Sequence, residues 1–348
     1  MIKVKGYAAI SAKADLGPFS FERREPGPSD VQFDILYCGV CHSDVHQARD
    51  EWGGSIFPMV PGHEIVGRVT SVGKDVKKFK PGDLAGIGCM VDSCRKCDNC
   101  KKGLKQYCLE RVIWTYNSCE KDGKTPTYGG YSNKIVADED FVLSISEKQD
   151  LRGVAPLLCA GITTYSPLRH WKVGKGHRIA ILGLGGLGHM ALKFAASFGA
   201  EVTVLSTSAT KFDDAKRMGA HNFILTTDEV RMKSMSNYFD FILDSVSAQH
   251  DYSRSLRLLR TDGVQICVGV PPIPEHLSAS HLIGGRRSIA GSLIGGIAET
   301  QEMLDYCAVH NILSDVEVIP ITAINLAYER MLKADVRYRF VIDMSSLR

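Results

Sequence analysis

The apolar run Arg178-Ile179-Ala180-Ile181-Leu182, followed at once by Gly183-Leu184-Gly185-Gly186-Leu187-Gly188, constrains the fold more than any other stretch of the chain. A short apolar run bounded by glycines reads as a buried strand. The glycines then open a helix whose apolar residues, Leu187, Met190, Ala191, Phe194, Ala195 and Phe198, recur at helical spacing, with Gly199 placed to end it. A G-x-G-G-x-G pattern between a strand and a helix has a physical use. Gly183 suits the tight turn, Gly185 lets the backbone approach a pyrophosphate, and Gly188 permits close helix–strand packing; Gly186 and Leu187 complete the loop. The N-terminus of the helix then faces the phosphate charge. Downstream the texture repeats: Glu201 to Leu205 extended, Lys211 to Met218 helical, Phe223 to Leu225 and Phe239 to Leu243 extended, Tyr252 to Leu259 helical, Gly263 to Gly269 extended. Such alternation predicts a doubly wound parallel sheet, an α/β Rossmann domain.

The end of the second strand selects the cofactor. A site for NAD places Asp or Glu there to hold the ribose 2′-hydroxyl. Here the strand runs into Ser206-Thr207-Ser208-Ala209-Thr210-Lys211. No carboxylate is present to repel a 2′-phosphate, and hydroxyls with a lysine can bind one. The prediction is NADP(H), held by the glycine loop, Ser206, Thr207, Ser208 and Lys211, with Val268 and Val270 at the end of a later strand.

The first 150 or so residues have a different character, β-rich and broken by turns, as in Val31 to Tyr37 and Ile65 to Val72. They predict an antiparallel, barrel-like region followed by a loop-rich insertion. The 348 residues suffice for two domains. A net charge of +3 is too small to argue for nucleic acid or an anionic membrane surface. No stretch approaches the roughly 20 apolar residues of a membrane span. The N-terminal segment lacks a signal-peptide pattern, so a cytoplasmic location is expected.

Eleven cysteines, an odd number, argue against a disulfide framework in such a compartment and turn attention to metal. Cys94, Cys97, Cys100 and Cys108 follow a C-x2-C-x2-C-x7-C pattern. Four thiolates this close can enclose one tetrahedral Zn²⁺ and leave no open position, a structural site. An iron–sulfur cluster takes four thiolates as well.

Taken together, Gly39-Val40-Cys41-His42-Ser43-Asp44-Val45-His46, Pro61-Gly62-His63-Glu64, the cysteine lobe, Cys159-Ala160-Gly161-Ile162-Thr163-Thr164-Tyr165 and the glycine loop with His189 resemble the zinc-containing medium-chain dehydrogenase/reductase superfamily. Within it the chain is similar to the cinnamyl alcohol dehydrogenase branch, over its whole length and in family order. The resemblance implies a GroES-like β-rich catalytic domain of residues 1–153 and 292–348 around a Rossmann domain of residues 154–291, with substrate in the cleft and a homodimeric assembly.

It also implies roles. Cys41, His63 and Cys159 would bind a catalytic zinc and leave one position open, so two Zn²⁺ are expected per chain. Glu64 would stand beside that metal, and Asp44 would orient the His63 imidazole. Ser43 and then His46 would carry the proton outward, a task suited to a group titrating near neutrality. Gln47, Trp52, Cys89, Trp114, Val270, Leu293 and Ile294 would fall near the substrate. Two indoles and aliphatic side chains favour aromatic aldehydes, such as cinnamaldehyde or benzaldehyde, or medium aliphatic ones. The expected activity is NADP(H)-dependent alcohol dehydrogenase or aldehyde reductase. The competing reading is an NADP(H)-binding redox or quinone-reductase-like protein with only a structural zinc.

Overall fold

The computed structural model describes residues 1–271 and 277–347. The chain divides into two compact units, Met1–Ile162 with Gly295–Arg348, and Thr163–Ile294.

The second unit is built on a six-stranded parallel sheet. Its order is Asn222–Leu225, Glu201–Ser206, Arg178–Leu182, Phe239–Asp244, Leu259–Cys267 and Ser288–Gly291. The chain therefore winds outward in one direction from Arg178–Leu182, then restarts on its other side at Phe239–Asp244. That reversal opens a crevice at the carboxyl ends of these two strands, where the glycine loop emerges. Ile179, Ala180 and Ile181 are wholly buried, as a central strand covered on both faces requires. Helix Gly188–Ser197 buries Met190, Ala191, Phe194 and Ala195, and Gly199 follows its end with a φ of +81°. Tyr165 packs edge-on to Phe194 and Phe198 at 5.3 and 5.7 Å.

One element differs from its sequence expectation. The helix predicted over Tyr252 to Leu259 ends at Leu256. Leu259 already belongs to the next strand, paired with Phe239 and fully buried, so sheet pairing overrides its helical preference.

The first unit is organised by the strand Asp30–Gly39. It pairs antiparallel with Ile65–Val72, Lys134–Asp138 and Arg339–Asp343. The sheet continues through Leu84–Ile87 to Leu143–Ser144 on one side and to Val316–Pro320 on the other. The Val316–Pro320 and Arg339–Asp343 pair is parallel, within an otherwise antiparallel sheet. The last strand thus inserts the chain's final segment beside Gly39, with Val341 opposite it. Phe33, Ile65, Tyr131, Ile135, Phe340 and Ile342 form its core. Cys41 lies two residues past the end of this core strand, and His63 and Glu64 directly precede another.

Candidate metal and cofactor sites

Local hydrogen bonds shape the ligand segments of the first unit. Helix His42–Ala48 begins after Cys41, whose backbone N–H donates to the Asp44 carboxylate at 2.9 Å, so the third helical residue closes the first turn. Asp44 is wholly buried and also accepts from Gly62 N–H at 3.2 Å and from the Tyr131 hydroxyl at 3.0 Å. Its second oxygen stands 3.3 Å from His63 Nδ1. The imidazole is thereby turned with Nε2 away from Asp44, stacked on Tyr116 at 5.6 Å. Buried Nε2 has no hydrogen-bond partner. An orphaned nitrogen of this kind costs free energy unless something binds it.

What lies near it is a set of ligands. Among the described residues, Cys41, His63, Glu64 and Cys159 each offer one atom within 4.8 Å of the others, all four buried. Cys41 Sγ and Cys159 Sγ are 3.9 Å apart. Two sulfurs each about 2.3 Å from one tetrahedral ion lie roughly 3.8 Å apart, so the spacing suits zinc. The Cys41 thiol is driven well below its ordinary range by its contact with Cys159, helped by His63 and Arg339. Burial pushes the Glu64 carboxyl up to about 8, while Arg339 pulls the other way. Arg339 and Glu64 form an ion pair, both almost wholly buried. Gly39 makes room for it: a Cβ there would collide with Glu64 Oε2.

The cysteine lobe forms a second ligand group. Cys94, Cys97, Cys100 and Cys108 bring their sulfurs within 4.8 Å of one another. Cys94–Cys100 and Cys97–Cys108 distances are 3.8 and 4.0 Å, the spacing of thiolates on one tetrahedral ion rather than on separate irons of a cluster. Backbone N–H groups of Cys97 and Leu109 point at Cys94 and Cys97 sulfurs from 3.3 and 3.4 Å. Arg95 ties the lobe to its surroundings through Asp92 and Asp138 at 2.9 and 3.0 Å.

Around the first group, Ser43 Oγ lies 3.7 Å from Cys41 Sγ. His46 Nδ1 faces the Glu51 carboxylate at 2.5 Å, and its ring stacks on Trp52 at 4.8 Å. A carboxylate accepts, so Nδ1 carries the proton and Nε2 is left as the acceptor. Gln47 takes a hydrogen bond from Asn117, and Trp114 pairs with Met90 next to Cys89. Trp52 is about half exposed. Val270, Leu293 and Ile294 belong to the second unit, the first two exposed and Ile294 buried with a φ of +37°.

In the second unit, Gly183 has a φ of +87°, which favours glycine. A Cβ on Gly188 would collide with the Gly183 carbonyl oxygen, whereas one on Gly185 would meet nothing within 4 Å. The middle glycine thus faces open space where a ligand can approach. Lys211 Nζ donates to Leu184 O at 2.7 Å, which brings the end of the second strand beside the glycine loop. Ser206 is buried and its hydroxyl accepts from Ser208 N–H at 3.2 Å; Thr207 is exposed. Gly186 and Leu187 lead into the helix, and Val268 N–H bonds to Asp244 O at 2.9 Å.

Two family profiles match the chain: the alcohol dehydrogenase GroES-like domain over residues 27–147 and the zinc-binding dehydrogenase over 186–308. The chain is 52% identical to NADP-dependent alcohol dehydrogenase C 1 of Mycolicibacterium smegmatis, over all of both chains. It is also 52% identical to the aldehyde reductase YahK of Escherichia coli, over 99% of each. The solved cinnamyl alcohol dehydrogenase of Sorghum bicolor superposes with a TM-score of 0.97 at 43% identity, covering 100% of this chain and 99% of that one. The chain belongs to the zinc-containing medium-chain dehydrogenases, in the cinnamyl alcohol dehydrogenase branch. A structure from this branch, that of Helicobacter pylori complexed with NADP(H), has a TM-score of 0.94 at 44% identity, with 100% and 99% coverage.

In this medium-chain dehydrogenase several residues that sequence reasoning missed surround the ligand group. Arg339 is the counter-charge of Glu64. Glu51 holds His46, and Tyr131 and Tyr116 flank Asp44 and His63. One signal was available for Arg339: it opens an otherwise apolar strand, Arg339-Phe340-Val341-Ile342, where a charge must either reach solvent or find a buried partner.

Proposed function

We propose that this dehydrogenase interconverts aldehydes and primary alcohols with NADP(H), and that Cys41, His63 and Cys159 hold the zinc that makes this possible. The observation that carries the reading is the buried, unpartnered His63 Nε2 gathered with two thiols spaced for one tetrahedral ion. When bound, zinc supplies a Lewis acid for the substrate oxygen and NADPH supplies the hydride.

The protein's residues do the rest. Asp44 fixes the imidazole so that Nε2 is the ligand atom. Arg339 pairs with the Glu64 carboxylate and balances its charge, so that Cys41, His63 and Cys159 would hold the zinc that polarises the substrate oxygen. Ser43, adjacent to Cys41, exchanges a proton with the substrate oxygen, and His46 passes it toward water through Nε2, with Glu51 holding Nδ1. The cysteine lobe would hold a second zinc through Cys94, Cys97, Cys100 and Cys108. Ser206, Thr207, Ser208 and Lys211 would hold the 2′-phosphate of NADP(H), the glycine loop its pyrophosphate, and Val268 and Val270 would contribute to the cofactor site. Gln47, Trp52, Cys89, Trp114, Leu293 and Ile294 line the substrate side. Their apolar surface suits cinnamaldehyde, benzaldehyde or medium aliphatic aldehydes.

The catalytic domain is read as residues 1–153 with 292–348 and the cofactor domain as 154–291, a division supported by compact units that separate at Ile162 and Ile294. Among the described residues no helix is long and apolar enough to cross a membrane. A cytoplasmic location suits a chain with two groups of cysteine metal ligands, which reducing conditions keep as thiols, and a homodimer is expected from the family resemblance.

Metal analysis with a coupled assay tests the reading. The parent is expected to hold two zincs per chain and to oxidise NADPH with cinnamaldehyde or benzaldehyde. Cys41→Ala should retain one zinc and lose the reaction. One zinc in both proteins would instead favour the cofactor-binding protein without a catalytic metal.

A further inference from the structure

The Asp44 carboxylate is saturated. Four donors meet its two oxygens: Cys41 N–H and the Tyr131 hydroxyl on Oδ2, at 2.9 and 3.0 Å, and Gly62 N–H and His63 Nδ1 on Oδ1, at 3.2 and 3.3 Å. A carboxylate offers about four acceptor directions, and the Tyr116 phenol stands close to this one as well. Three of these donors belong to the segments that carry Cys41 and His63. The fourth arrives from elsewhere in the sequence, 87 positions from Asp44.

Tyr131 is rigidly delivered. Backbone hydrogen bonds from Gly129, Gly130 and Tyr131 run to Val60, Gly62 and Pro61 at 2.7, 2.9 and 2.9 Å, laying this stretch along the segment that ends in His63. From the other side Tyr7 N–H bonds to Tyr131 O at 2.9 Å. The ring is wholly buried and lies against Gly62, where an added Cβ would come within 2.7 Å of Tyr131 Cδ1. Burial and the nearby Asp44 charge push the phenol well above its ordinary range, so it remains a donor.

We propose that Tyr131 is a positioning residue of the metal centre: its hydroxyl pins Asp44 Oδ2, so that Oδ1 stays on His63 Nδ1 and Nε2 stays aimed at the ion. Without that bond the carboxylate can rotate about its Cβ–Cγ axis at the cost of weaker contact with the imidazole. The His63 ring then has more freedom in its ligating position. Loss of an outer partner of a ligating histidine typically weakens metal binding about 10- to 100-fold. Tyr131 acts one bond further out, so about a tenfold faster release is expected. This inference rests on the reading of Cys41, His63 and Cys159 as zinc ligands.

The test is zinc release from the loaded enzyme into a chromogenic chelator, followed in time. Cys41→Ser identifies which phase belongs to the four-cysteine lobe. In Tyr131→Phe, which keeps the ring and removes only the hydroxyl, the catalytic-site phase should accelerate about tenfold while the other phase keeps its rate. In an Asp44→Asn background the same change should add less than about twofold, because two groups acting through one bond are not additive. A core substitution away from the site, Ile135→Val, should lower Tm while the ratio of the two release rates stays as in the parent. Equal rates in parent and Tyr131→Phe, acceleration of both phases alike, or a full tenfold effect in the Asp44→Asn background would each overturn the inference. A parent with a single zinc phase would overturn the ligand reading and this inference with it.

Discussion

Removing the Arg339 guanidinium while keeping a long apolar side chain, as in Arg339→Met, isolates what the buried ion pair contributes. Arg339 is 4% exposed and Glu64 not at all, so neither charge reaches water when its partner is lost. Desolvation pushes Glu64 up to about 8 even with Arg339 in place, so the comparison is made at pH 9, where the carboxylate of the parent is charged. Breaking a buried pair from one side costs roughly 3–5 kcal/mol, most of it the penalty of the charge left behind. The unit that holds both residues has about two hundred residues, and at that size each kcal/mol moves Tm by about 2–4 °C. A fall of roughly 6–20 °C follows. The double variant Glu64→Gln with Arg339→Met removes both charges and should recover part of the loss, a coupling of about 1.5 kcal/mol or more. Differential scanning calorimetry of the zinc-saturated proteins, with parent, both singles and the double, measures all four corners. A Tm of Arg339→Met within about 2 °C of the parent would refute the argument. So would a double variant whose losses simply add, because the two charges would then be independent.

Three further outcomes can be checked directly. Ser206→Asp places a carboxylate at the end of the second strand; at about 5 Å and an effective dielectric of about 20, two unit charges repel by roughly 3 kcal/mol, so the ratio of kcat/KM for NADPH over NADH should drop about a hundredfold. An unchanged ratio would remove Ser206 from the 2′-phosphate site. His46→Ala should cut turnover near neutral pH about a hundredfold, the low end for a positioned acid–base group, while cofactor affinity measured by fluorescence titration stays within about twofold; full turnover in this variant would break the proposed relay at its second member. Cys97→Ser should leave one zinc per chain and make the stretch around residues 94–108 the first cut in limited proteolysis, whereas an unchanged digestion pattern would mean that the lobe holds its shape without metal.

These perturbations also separate what the sequence discloses from what it conceals. The glycine loop was legible because its pattern is local: Gly183 has a positive φ, and a Cβ on Gly188 would strike the carbonyl oxygen of Gly183, five residues earlier. Asp44 was reached only through the family resemblance; the structure adds a local reason, since a carboxylate three residues after Cys41 closes the turn that begins there. The cysteine lobe carries its whole ligand set in one short stretch. Most strand expectations held because buried apolar runs depend little on partners, and Tyr252–Leu259 departed where a pairing with Phe239 decided the boundary.

The concealed residues are those whose partners are remote. Arg339 meets Glu64 across 275 positions, and Tyr131 meets Asp44 across 87. Their placement depends on sheet register, which no local pattern reports: Val341 must lie opposite Gly39 for Arg339 to approach the ligand group. A division of labour explains this. Short segments preorganise the atoms of the ligand set, whereas distant strands supply the counter-charge and the last hydrogen bond that make a cluster of thiols and carboxylates tolerable inside a core. Gly39 joins the two tasks, because it precedes the Cys41 segment, pairs with the final strand and leaves the space that Glu64 fills. A side chain at that position would strike Glu64 first, at Oε2, Cβ and Cδ, so Gly39→Ala should disturb the metal centre through its charge balance while every ligand is still present.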